Sequence, residues 1–128
     1  MIGAIGYRSF LVIAVVLGVA SISQAEEIAA QGAGTLTCGQ LANMYRGHPT
    51  LAENVFFTWA QGFMTGLNYQ KMAKHGKSAN LGAMTTAKQK SLIRSYCDAH
   101  PSAIFLDAVT HLYHRLPTSK YKLPPVNK

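Results

Sequence analysis

Acidic side chains are scarce in this chain: five Asp and Glu stand against twelve Lys and Arg. They are Glu26, Glu27, Glu53, Asp98 and Asp107, and only the last three fall in predicted structure. No two of them are placed by spacing for paired-carboxylate glycoside cleavage. The sequence also lacks G-x-S-x-G, a phosphate-binding loop and H-E-x-x-H, which removes most small secreted hydrolases and metalloproteases. No cofactor is expected. Cysteine is limited to Cys38 and Cys97, with no C-x-x-C and no second pair for zinc. The formal charge of +7 permits attraction to an anionic envelope surface. The basic residues are spread out, and nucleic acid is not an expected partner.

A long apolar run is missing too. The longest, Phe10 to Ala20, is "FLVIAVVLGVA", well short of the ~20 residues a spanning helix needs. Arg8 precedes it, and Ser23-x-Ala25 follows as a small-residue cleavage site. Residues 1–25 therefore read as a secretory signal peptide cleaved after Ala25, with no transmembrane segment left afterwards. Export, most simply to the periplasm of a Gram-negative bacterium, puts both cysteines in an oxidising compartment. An even pair there is expected to form the disulfide Cys38–Cys97; the competing reading is a catalytic or metal-binding thiol.

Residues 26–36, "EEIAAQGAGTL", are Gly/Ala-rich and aperiodic, and read as a flexible lead-in. Thr37-x-x-Gln40, Thr50-x-x-Glu53 and Thr86-x-x-Gln89 each resemble a capping box opening a helix. The first helix carries Cys38, Leu41 and Tyr45 at helical spacing and breaks at "RGHP". The second runs to His75, with Gly76 as its stop. The third places Leu92, Ile93, Tyr96 and Cys97 on one stripe. A fourth, with Pro101 in its first turn, buries Ile104, Phe105, Ala108, Val109, Leu112 and Leu116 and ends at Pro117. No strand pattern is evident. The expectation is an all-α fold: a small four-helix orthogonal bundle over residues 37–117, with one disulfide and a disordered basic tail over 118–128.

The second helix contains "FFTWAQGFMTG", Phe56 to Gly66. Wound at 100° per residue with Trp59 at the centre of the buried face, Gly62 and Gly66 fall on one edge and Phe63 on the other. The predicted helix-packing motif is thus Trp59, Gly62, Phe63 and Gly66. Glycine in a helix costs roughly 1 kcal/mol, so close approach of another helix must offset it. That helix belongs either to this chain's core or to a partner. Phe57 and Met64 stack on the back of the same wheel, so they are either covered by another helix or form an exposed apolar partner surface.

The remaining polar constellation is Asp107, His111 and His114, at i, i+4 and i+7 on the last helix. The spacing suits a divalent metal or an acid sensor, and equally a solvated polar face. A small enzyme or metal binder would use these three residues.

Two elements resemble known families. "TC" at Thr37-Cys38, with "YCDAHP" at Tyr96 to Pro101 and an amphipathic helix after it, resembles the HdeA/HdeB-type periplasmic acid-stress chaperones. "WAQGFMTGLN", Trp59 to Asn68, resembles the G-aromatic-x-x-G helix of the Rap/Tai-type immunity proteins of type VI secretion. The resemblances imply a disulfide role for Cys38 and Cys97 and a packing role for Gly62 and Gly66. They imply a non-enzymatic protein-binding module whose partner is an unfolded client or, alternatively, a cognate toxin. The oligomeric state is left open.

Overall fold

The computed structural model describes residues 30–120. The signal-peptide expectation for residues 1–25 and the tail beyond Lys120 lie outside the described residues. The fold is mostly helical, with a two-stranded sheet of two residues per strand. In chain order the elements are a 3-10 turn at Gly32–Thr35, α1 (Cys38–Gly47), α2 (Pro49–Ala52), a π turn (Glu53–Phe57), α3 (Thr58–His75), β1 (Ser78–Ala79), α4 (Thr86–Ala99), α5 (Phe105–Arg115) and β2 (Thr118–Ser119). α2, the π turn and α3 run without a break, so the four expected helices are present.

The start of α1 leaves no orphan donor. Thr37 Oγ1 accepts from Gln40 N, and Gln40 Oε1 accepts from Thr37 N, which closes the expected capping box. The amides of Cys38 and Gly39 donate to the carbonyls of Ala103 and Pro101, both at 2.8 Å. Those first-turn amides have no partner inside the helix, so the segment before α5 caps α1. Phe105 N donates in turn to Leu36 O at 2.7 Å, and Thr37 bridges Ile104. Pro101 therefore sits in a capping segment and not in the last helix, which starts four residues later with Ile104 as its N-cap.

Two further helix starts differ from expectation. The second begins at Pro49, with no side-chain cap from Thr50. α4 is capped by Thr85, whose side chain accepts from Lys88 N, so Thr86 is already inside the helix. Gln89 is buried and instead holds the preceding loop, its Nε2 donating to Leu81 O and Met84 O. The stop at Gly76 is as expected: its φ of +61° is the left-handed conformation that glycine adopts at least cost.

Cys38 and Cys97 form the disulfide between α1 and α4, with Cα atoms 4.8 Å apart and both side chains buried. Closing a loop of this length stabilises a fold by about 4 kcal/mol in the chain-entropy picture. α4 packs on α5, and α5 on α3 and the 3-10 turn. Phe105, Val109 and Leu112 of α5 lie at the centre of the core, together with Met64 of α3.

Both ends of the domain are better ordered than their composition suggests. Ala33 and Gly34, expected in a flexible lead-in, are buried against Trp59. Thr118 and Ser119, expected in a disordered tail, pair antiparallel with Ala79 and Ser78. A two-residue strand has too little periodicity to read from sequence.

Candidate functional site

The central helix turns a different face inward from the one its largest aromatic suggests. Ala52, Phe56, Ala60 and Met64 form the buried stripe. The i→i+5 bonding of the π turn puts an extra residue into one turn, and the adjacent Phe56 and Phe57 are both buried. Phe57 is 9% exposed and Met64 1% exposed, so neither belongs to an exposed partner surface. Phe56 meets Phe105 edge-on, with ring centroids 4.9 Å apart.

Trp59 lies on the flank of this stripe, half-buried. Its ring stacks on Phe63 at 5.2 Å and meets Phe105 edge-on at 6.0 Å. Its Nε1 donates to Gln31 O at 3.1 Å. The 3-10 turn covers the remaining side of the ring, which is why the "GAG" at residues 32–34 is ordered. Trp59 and Phe63 thus do pack, but against the N-terminal turn and α5.

Gly62 and Gly66 do not take part. Both are exposed, and a Cβ built on either meets nothing within 4 Å. The expectation that another helix of this chain fills their edge is therefore corrected: with Ala60 and Met64 at the core centre, the glycine edge points away from it. Leu51 and Val55 precede the glycines on the outward side, 53% and 42% exposed. Gly62 and Gly66, four residues apart in the regular part of α3, share a face, and Val55 precedes them in the π turn. The result is an open strip along the outside of the helix at Gly62 and Gly66, with Leu51 and Val55 before it and the exposed Tyr69 ring, seven residues after Gly62, beyond it.

The last-helix candidates do not converge. Asp107, His111 and His114 are all exposed, and among the described residues no group of three His, Cys, Asp or Glu could hold a metal ion. His111 lies instead 5.0 Å from the Tyr96 ring, which stacks on His100 at 4.4 Å.

Two polar clusters were not legible as such. In one, Glu53 of the π turn pairs with Lys90 of α4 at 2.5 Å. Lys90 also sits 5.2 Å over the Phe57 ring, and Arg94 sits 4.0 Å over the Tyr45 ring. The hydrogen bond from Lys90, then that from Tyr45, hold the Glu53 carboxyl below its ordinary range. Burial, and then the Glu53 carboxylate, push the Tyr45 phenol up. The cluster braces α1, the π turn and α4, and the space beside it is only about 20 Å³. In the other, Asn68 of α3 acts as a third strand. Its Nδ2 donates to Ala79 O and its Oδ1 accepts from Ala79 N, both at 2.9 Å, and from Tyr113 Oη at 2.8 Å.

Among the described residues no helix is long and apolar enough to cross a membrane. Comparison with protein-family models, curated proteins and solved structures finds no match for this chain.

Proposed function

We propose that this chain is a non-enzymatic, exported protein-binding module that docks one shaped helix of a partner along the outward edge of α3. The observation that carries the reading is the pair Gly62 and Gly66, exposed in mid-helix with open space beside them. Each lowers helix stability by roughly 1 kcal/mol relative to alanine, and no contact within the described residues offsets that. Small residues on an outward edge let another backbone approach closely, and Leu51 and Val55 add apolar side chains at the rim. A preformed, narrow strip suits a single cognate partner, the Rap/Tai-like immunity role. The Cys38–Cys97 disulfide is compatible with an oxidising compartment such as the periplasm.

A second reading, an HdeA/HdeB-like acid-stress holdase, is favoured by one observation. The ion pair of Glu53 with Lys90 places Lys90 over Phe57, so protonating Glu53 loosens the cover of a buried aromatic.

A photoreactive residue in place of exposed Thr58, beside the glycine edge, separates the two in intact cells. Docking of one partner is expected to give one discrete adduct at neutral pH, lost when Gly62 and Gly66 are both changed to Leu. A ladder of adducts appearing only in acid would favour the holdase. No adduct under either condition would remove both readings.

A further inference from the structure

The geometry points to a second site: a groove between the C-terminal half of α3 and the β1 loop that binds a neutral saccharide. It does not rest on the glycine-edge reading, although Tyr69, seven residues after Gly62, borders both surfaces. The groove holds about 410 Å³, within the ~300–1,000 Å³ range of small-molecule sites. Thr65, Tyr69 and Met72 come from α3, and Ser78, Asn80 and Ser119 lie on the other side together with the apolar Ala79 and Leu81.

Three observations select the ligand class. First, no lining residue is Asp, Glu, Lys, Arg or His, although the domain is basic. A charged ligand finds no counter-ion there, whereas hydroxyl and amide groups find partners of their own kind. Second, Ser78 is 1% exposed, and its Oγ has no hydrogen-bond partner among the described residues. A buried unpaired hydroxyl is costly to a fold, and a ligand hydroxyl supplies the missing partner once the groove wall shifts to uncover it. Third, the Tyr69 ring is exposed beside Met72, an apolar wall facing polar groups. A pyranose has that same character, with hydroxyls around its edge and an apolar C–H face.

An extended peptide is the natural competitor, since β1 offers a short strand. Its edges are taken. β2 pairs with one side, and the amide and carbonyl of Ala79 on the other are both bonded to Asn68. Strand addition needs a free edge.

The test is an amide-resolved NMR titration of the exported domain with glucose, N-acetylglucosamine, maltose and chitobiose, with glucosamine as the charged control. At least one neutral sugar is expected to give saturable shifts at residues 65–72 and 78–82, in the millimolar range, with glucosamine giving none. Ser78→Ala is expected to weaken that sugar roughly 3- to 10-fold, the value of one hydrogen bond. Its unfolding temperature should stay at or above wild type, because the hydroxyl it removes has no partner in the fold. Tyr69→Ala, at an exposed position, should also weaken binding and leave the spectrum otherwise intact. Absence of saturable shifts, shifts confined to other residues, or an unchanged affinity in Ser78→Ala would each overturn the site.

Discussion

Gly34 lies so close to Trp59 that a Cβ at position 34 would stand 2.2 Å from the ring atoms Cζ2 and Cη2. No rotamer relieves such a clash, because the indole is fixed on its other side by Phe63 and Phe105. Gly34→Ala must lift the 3-10 turn or tilt the ring, and overpacking of this kind costs about 1–3 kcal/mol. Trp59 is the single tryptophan, so its fluorescence reports the change directly. The expected result is a red-shifted emission together with a lower unfolding midpoint. An unshifted spectrum at wild-type stability would mean that the turn does not cover the ring.

Asn68 carries three hydrogen bonds that no other side chain can replace. Asn68→Ala leaves the amide and carbonyl of Ala79 unpaired beside a buried strand. The expected loss is about 2–3 kcal/mol, since each part-buried group left without a partner costs about 1–3 kcal/mol in full burial. Hydrogen exchange checks the mechanism: the Ala79 amide should lose its protection before the α5 core does.

Acid acts on the fold through Glu53. Its pKa is depressed in the folded state, chiefly by the hydrogen bond from Lys90. The stability it contributes is therefore present above its unfolded pKa, near 4.5, and is lost as pH falls through the lower folded value. The Glu53 side chain is 39% exposed, so solvent screening limits the effect to about 1 kcal/mol or less. Glu53→Gln should flatten the acid limb of the stability curve by that small amount. A steeper acid limb in wild type, removed by Glu53→Gln, would revive the holdase reading.

What the sequence makes legible follows from how local each cause is. The Thr37–Gln40 capping box, the Gly76 stop and the inward stripe of the last helix from Phe105 onward are set by residues within one or two turns, and they are where the pattern puts them; Ile104, expected in that stripe, is instead the 37% exposed N-cap. The phase of α3 is not local. Trp59 looks like a core centre because it is the largest side chain, yet it is covered from outside by residues 31–34, more than two dozen positions earlier. The π turn shifts the phase again, and composition carries no sign of it. Asn68 carries no local signal that sets it apart from the other polar residues of α3. Its true partners, Ala79 and Tyr113, are brought to it only by the fold. The glycine pair was legible as a signal but not in its direction, since the same spacing serves an inner or an outer contact.

That direction decides the functional reading, and one quantity tests it: the unfolding free energy of the double variant Gly62→Ala, Gly66→Ala. An added Cβ at either position meets nothing within 4 Å, and alanine gains roughly 1 kcal/mol of helix propensity at each site. An increase of about 2 kcal/mol is expected, with partner docking weakened at the same time. A decrease in stability would show that this chain fills the glycine edge itself, and would contradict an outward docking surface.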